Sequence, residues 1–229
     1  VELRDRAADF VGGVPGAAPV AAGAHDPLAE AGIARVVMAM RDPDPRVNGR
    51  GLAMLRGAGI AVEEGLLEAE ARALNAGFFR RIQAGMPVVT LKLASTLDGR
   101  IATASGESRW ITGEAARREV HALRARHDAI LVGSGTVLAD DPDLTCRIPG
   151  MERVPMLRVV ADARLRTPPS ARLVQSAGAA PVLVMTAPGH PPVAQAPFIA
   201  AGADIITAPA HAGGGLDLPY LLRALGRRG

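Results

Sequence analysis

The chain has a single cysteine, Cys146, among its 229 residues. No disulfide can close within it, and no cysteine-based zinc site can be assembled. Aromatic residues are only 3% of the total, with one tryptophan, Trp110. The 26 basic side chains are dispersed among 23 acids rather than gathered into a stripe. Nucleic-acid binding usually needs both a dense basic surface and aromatics on which bases stack, so that class is set aside. No apolar run is long enough to cross a bilayer. The opening Val1-Glu2-Leu3-Arg4-Asp5 lacks the apolar stretch of a signal peptide, which makes cytoplasmic residence the expectation. The five histidines (His25, His121, His127, His190, His211) fall into no ligand spacing, so no metal site is expected.

What is present is a globular profile: 48% hydrophobic and 21% charged residues, with length enough for one large core or two modest ones. Residues 1–24 are rich in Gly, Ala and Pro without periodicity and are predicted to be a poorly ordered arm. From Leu28 to Ala31 the pattern is helix-like, and Arg35 to Met40 is an apolar strand run ended by the turns of Asp42-Pro43-Asp44-Pro45. Gly51–Ala58 reads as a helix and Ile60–Val62 as a strand. Glu63–Ile82 reads as a long helix, with Leu67, Ala71, Leu74, Phe78 and Ile82 on one face. Gly85-Met86-Pro87 is the expected boundary, giving a unit over 25–85 and another over 86–229.

The second unit is predicted to open with a strand, Val88–Ala94, followed by a helix from Glu114 to Arg126 capped by Thr112. Short apolar strands at 129–132, 157–161, 182–186 and 204–207, a loop at 188–197 and a helix at 218–225 complete an α/β sheet covered on both faces. Within it, Gly133-Ser134-Gly135-Thr136 is a strand-to-helix turn that turns backbone N–H groups toward an anion, without the spacing of the dinucleotide-binding fingerprint. Lys92 stands in an apolar strand run, and Arg124 and Arg147 are guanidinium forks suited to phosphate. Taken singly, each has a plainer reading as a strand, helix or loop cation.

Together these elements resemble the bifunctional riboflavin-biosynthesis deaminase/reductase family. The resemblance rests on Lys92-Leu93-Ala94, Leu97-Asp98-Gly99, Ser108-Arg109-Trp110-Ile111-Thr112-Gly113 and His121-Ala122-Leu123-Arg124. It continues through Gly135-Thr136-Val137-Leu138-Ala139-Asp140-Asp141-Pro142 and Leu144-Thr145-Cys146-Arg147. It extends back over Asp42-Pro43-Asp44-Pro45, Gly49-Arg50-Gly51 and Leu74-Asn75-Ala76-Gly77-Phe78-Phe79. It implies an α/β chain made of the tail of a cytidine-deaminase-like domain followed by a dihydrofolate-reductase-like mixed-sheet domain. It also implies NADPH-dependent reduction of 5-amino-6-(5-phosphoribosylamino)uracil to its ribitylamino product. By the same resemblance, Lys92 faces the ribosyl group, and Ser108, Arg124, Leu144 and Arg147 bind substrate. Ala94, Trp110, Thr136, Asp140 and Ala163 contact the cofactor. Asp140 is open as helix acid, cofactor contact or proton donor, and Ala163 offers only its backbone where the family has a serine hydroxyl.

Two departures accompany the resemblance. The family's zinc deaminase needs one histidine and two cysteines with a His-x-Glu signature, and here Ala24 and His25 stand where part of that motif would fall. Zinc and deamination are therefore not expected of this chain. The family's final strand and Glu-Gly-Gly segment are expected to be missing, since the chain stops at Gly229. The alternatives are a fold-retaining, non-catalytic member and a related pterin or folate reductase; the paired arginines favour a phosphorylated substrate over the latter. A homo-oligomer is the expected assembly. If Lys92 serves the ribosyl group, Lys92→Ala retains cofactor binding and loses most turnover. A full-rate alanine variant in a steady-state assay removes that role.

Overall fold

The computed structural model describes residues 31–108, 110–151, 156–211 and 213–228. The expected arm, the start of the helix at Leu28, and Ala24, His25 and Arg109 lie outside the described residues. The chain divides into two compact units, Val1–Val88 with Leu225–Gly229, and Val89–Ala224.

In the first unit, strand β1 (Arg35–Met38) is followed by helix α1 (Arg50–Gly57), strand β2 (Ala61–Glu64) and helices α2 (Glu68–Leu74) and α3 (Ala76–Ala84). The two strands pair in parallel, Arg35 opposite Ala61. Leu52, Leu55, Ile60 and Phe79 are buried. Glu64 accepts from both Arg41 and Arg56, and the Arg41 and Arg56 guanidiniums hold its carboxyl down at about 2 against a partial burial penalty. The single long helix predicted over 63–82 does not form. Residues to Glu64 are strand, Gly65 and Leu67 take positive φ (96° and 57°), and α2 and α3 meet at Asn75, whose Nδ2 donates to Ala71 O. The supposed apolar stripe is not a core face: Leu74 is 87% exposed. The turn geometry at Gly65 and Leu67 prevails over helix periodicity.

The second unit contains helix α4 (Glu114–Ala125), strand β3 (Ala129–Gly133), helix α5 (Ser134–Asp140), strand β4 (Leu157–Ala161) and helix α6 (Arg172–Gln175). Strand β5 (Val182–Thr186), helix α7 (Pro192–Ala200), strand β6 (Asp204–Thr207) and helix α8 (Leu218–Arg228) follow, α8 extending past the unit boundary. The sheet order is β3-β4-β5-β6, every neighbour parallel, with Ala129 opposite Leu157, Arg158 opposite Val182 and Leu183 opposite Asp204. The α/β class is as expected. The antiparallel component of a mixed sheet is limited, among the described residues, to a bridge between Ala210 and Leu216. β5 is buried at all five positions, which is why Val-Leu-Val-Met-Thr reads as a continuous apolar run rather than an alternation. Val160, Leu173, Val174, Val184 and Phe198 close the core around it.

Three expectations are corrected here. Val88–Ala94 is not a strand: it joins neither edge of the sheet, and Leu91 and Leu93 are 78% and 75% exposed. An apolar run becomes a strand only when a partner takes its backbone groups, and none does among the described residues. The loop predicted at 188–197 is largely α7. Pro192 occupies its first turn, where a missing N–H costs nothing, and Pro197 sits inside it. Thr112 does not cap α4; Gly113 does, without a side-chain bond. The turn after α7 favours glycine, because Gly202 has φ 89°, a left-handed conformation that side-chain-bearing residues rarely adopt.

Arg158 in β4 is fully buried and, among the described residues, has no carboxylate within ion-pair distance. Its Nη1 donates to Asp143 O (3.0 Å) and Ser176 Oγ (2.8 Å), and its Nη2 to Ser176 O (3.1 Å) and Ala180 O. Burial lowers the guanidinium's pKa, with the Asp143 carboxylate opposing. Arg158→Leu strands these acceptors without a donor and is expected to cost about 3 kcal/mol, each buried unsatisfied group being worth roughly 1–3. Urea unfolding of the purified variant checks this; an unchanged midpoint refutes it.

Candidate active site

The C-terminal ends of β3 and β4 open onto a cleft of about 530 Å³. Its floor is Gly133-Ser134-Gly135 at the β3–α5 turn, one side is Ala161 to Ala163 with Arg164 and Arg166, and the other is Gly213 to Leu216. Parallel α/β sheets bind ligands beyond the carboxyl ends of their strands because the turns there present free backbone groups and helix starts. Gly133 caps α5 with extended backbone and no side-chain bond, so no side chain blocks the first-turn N–H groups. Space around a Cβ at Gly133, Gly135, Gly214 and Gly215 is open.

Asp162 anchors this cleft. It is 1% exposed; its N–H donates to Met185 O (2.8 Å), and its Oδ2 accepts the Thr167 N–H at 2.6 Å. Oδ1 has no partner among the described residues. Burial, the largest single influence, opposes ionisation, but the backbone N–H groups of Arg166 and Thr167 and the Thr167 and Ser134 hydroxyls together hold the carboxyl below its ordinary value. The turn it fixes projects Arg164 and Arg166 into solvent at the rim, and Arg166 Nη2 donates to the buried Ser134 Oγ at 3.2 Å. Ala163 lines the cleft, its carbonyl accepting from Ala187 N–H (3.3 Å) and His190 Nε2 (3.0 Å).

A second cationic group forms where α4 meets the loop after α5. Arg124 Nη1 donates to Thr145 O (2.9 Å), Cys146 Sγ to His121 O (3.5 Å) and Arg147 N–H to His121 Nδ1 (3.2 Å). Arg124 Nε is buried without a partner among the described residues. Its pKa is lowered by burial first and by Arg147 second. Among the described residues Arg147 has one ion pair, at 3.9 Å with Asp143, a carboxylate that also takes Arg172. Two guanidiniums held together with so little countercharge favour an anion. The loop is strained, with φ 39° at Asp141 and 59° at Leu144, conformations that non-glycine residues adopt mainly where surroundings enforce them. Leu144 is buried beneath it. The seven residues of α5, roughly 10 Å of helix, separate this loop from the cleft.

Arg124, Leu144 and Arg147 are thus brought together, and Ala163 joins the Gly133–Gly135 turn. Thr136 is exposed on α5, and Asp140 is exposed at its far end, outside the cleft lining. Lys92, the only lysine in the chain, is exposed in the unpaired 88–94 segment, and Ala94 and Ser108 are half-buried in irregular backbone. Trp110 is 71% exposed, with the Arg117 guanidinium 4.5 Å over its ring. Reading the sequence missed roles for His121, Ser134, Asp162, Arg164 and Arg166. The spacing His121-x-x-Arg124 was a usable signal, because i and i+3 share a helix face. Asp162 had none, since its importance lies in burial.

Residues 87–229 match the family described as the RibD C-terminal domain. The chain belongs to that family. Among proteins similar to this RibD-family chain is a riboflavin biosynthesis protein RibD of Bacillus amyloliquefaciens, 47% identical over 71% of the chain and 43% of that protein. The Escherichia coli RibD is 49% identical over 67% of the chain and 45% of that protein. The chain therefore spans less than half the length of these curated relatives. Among solved structures, Acinetobacter baumannii RibD superposes with a TM-score of 0.75 at 37% identity, over 88% of the chain and 54% of that structure. A Thermotoga maritima diaminohydroxyphosphoribosylaminopyrimidine deaminase/5-amino-6-(5-phosphoribosylamino)uracil reductase gives 0.73 at 35%, over 89% and 53%.

The depressed pKa of Asp162 carries a signed consequence. A carboxyl whose folded pKa lies below its unfolded value, about 3.9, contributes stability that is present above that value and lost as pH falls through the folded pKa. The stability gap between wild type and Asp162→Asn is therefore expected to narrow below about pH 4. Urea titrations at several pH values check this, and parallel stability curves contradict it.

Proposed function

We propose that the chain carries the NADPH-dependent reduction of the ribosyl group of 5-amino-6-(5-phosphoribosylamino)uracil. The supporting observation is the pairing, in one unit, of an arginine-rimmed, glycine-floored cleft with a second arginine pair one short helix away. The cleft fits a dinucleotide chemically. Its glycines leave backbone N–H groups approachable by a pyrophosphate, and Arg164 and Arg166 are cations for phosphate oxygens. NADPH, when bound, supplies a hydride.

The chain's own part is to bind, orient and move protons. Arg124 and Arg147 take the substrate phosphate, and Leu144 and Ser108 pack and orient the rest. The sugar ring opens so that C1′ is an imine carbon; hydride adds to C1′, the C=N electron pair returns to nitrogen, and nitrogen takes a proton. Lys92 is assigned to the ribosyl group and Asp140 to proton supply, while Thr136, Ala94, Trp110 and the Ala163 backbone border the cofactor. The relatives' deaminase step is not assigned to this chain, whose one cysteine cannot hold the zinc that step requires. No helix among the described residues is long and apolar enough to cross a membrane. The reading is of a cytoplasmic enzyme that assembles with copies of itself.

One observation favours a second reading, a non-catalytic member that keeps the fold: the segment bearing Lys92 is exposed and joins no sheet. Titration of the chain with NADPH, followed by Trp110 fluorescence, separates the two. Saturable quenching with NADPH preferred over NADH, together with NADPH oxidation on adding the phosphoribosylaminouracil, is the expected result. A folded chain that neither responds nor turns over favours the second reading. Because a charge-assisted bond contributes roughly 1.5–3 kcal/mol, Arg166→Ala is expected to weaken NADPH about tenfold or more. An unchanged Kd in the same titration removes Arg166 from the cofactor site.

A further inference from the structure

We propose that His121 is a positioning residue for phosphate recognition: its imidazole holds the Arg147 backbone so that Arg124 and Arg147 act on one anion. The inference rests on the reading above that this arginine pair takes the substrate phosphate. His121 and Arg124 share the face of α4 that meets the loop after α5. Three consecutive loop residues are each held by one of them. Thr145 O accepts from Arg124 Nη1, Cys146 Sγ donates to His121 O, and Arg147 N–H donates to His121 Nδ1. Two non-glycine residues of that loop, Asp141 and Leu144, are in left-handed backbone, so its shape depends on outside ties.

The choice of imidazole follows from charge. A backbone N–H can only donate, so Nδ1 must offer its lone pair, and the ring is neutral with its proton on Nε2. A lysine or arginine at this position would have no acceptor and would add a third cation beside two others. Burial, then the fields of Arg124 and Arg147, keep the His121 pKa below its ordinary value, with the Thr145 carbonyl opposing. The other titratable groups facing it from the loop are Cys146 and, through Arg147, Asp143. At neutral pH the ring is therefore in the state that can receive the Arg147 N–H.

The test uses the whole chain and ribose 5-phosphate as the probe, by calorimetry. His121→Ala is expected to weaken ribose 5-phosphate about tenfold, and His121→Gln, whose Oε1 restores an acceptor, to recover to within about threefold of wild type. In turnover, His121→Ala raises KM for the phosphorylated substrate while kcat and the KM for NADPH stay within about twofold. A general structural defect would move all three. If the alanine variant does not fold, His121→Leu, which fills the space without an acceptor, takes its place and is expected to show the same loss. The inference is overturned if the variants lacking an acceptor bind ribose 5-phosphate as wild type does, if His121→Gln folds and fails to recover affinity, or if wild type binds no ribose 5-phosphate. If wild type binds it, the acceptor-dependent pattern appears and no substrate is reduced, His121 keeps its positioning role and the reductase reading fails alone.

Discussion

A buried guanidinium whose bonds among the described residues go to neutral acceptors alone organises the second unit. Arg158 enters the sheet core from β4 and spends its charge on neutral acceptors, two of them carbonyls at the end of α6 and beyond, one a serine hydroxyl, one the carbonyl of Asp143. A buried ion is costly unless most of its donors are met, and here both terminal nitrogens are. The result is that the sheet, the α6 turn and the loop after α5 share one anchor. That loop holds two of the left-handed non-glycine residues, buries Leu144 and exposes Arg147. The core and the loop that carries Leu144 and Arg147 are thus fastened by the same side chain.

Positive charge recurs around the cleft and the α4–loop junction, with few carboxylates beside it among the described residues. Arg164 and Arg166 stand at the rim of the glycine cleft, and Arg124 and Arg147 crowd each other across the α4–loop junction. The carboxylates nearby are committed elsewhere: Asp162 to its own turn, and Asp143 chiefly to Arg172. This arrangement explains why the net charge of only +3 says little about binding, since what matters is where acids are withheld.

Much of this was legible in the sequence where one local rule dominated. The four strands of the parallel sheet follow from apolar runs buried on both faces, and the Gly133–Thr136 turn and the Arg124 and Arg147 pair follow from motif. The failures have physical causes. Leu91 and Leu93 have strand composition, but a strand is a property of two chains of backbone, and periodicity cannot show whether a partner exists. Pro192 and Pro197 read as loop because proline ends helices, yet one sits in the first turn, where its missing N–H is harmless. The 63–82 helix fails because Gly65 and Leu67 turn the chain before it starts. Asp162 and His121 act through burial and through bonds to residues far along the chain, which one sequence cannot display.

The chain's one thiol lies in the same loop. Cys146 is buried and donates to the His121 carbonyl, between the two loop residues that α4 holds. Opening of the loop from α4 exposes that sulfur further, so faster thiol labelling reports a looser loop. With no second cysteine to confuse the signal, the molecule contains its own gauge of how firmly the loop is latched, and an anion bridging Arg124 and Arg147 would register as slower labelling.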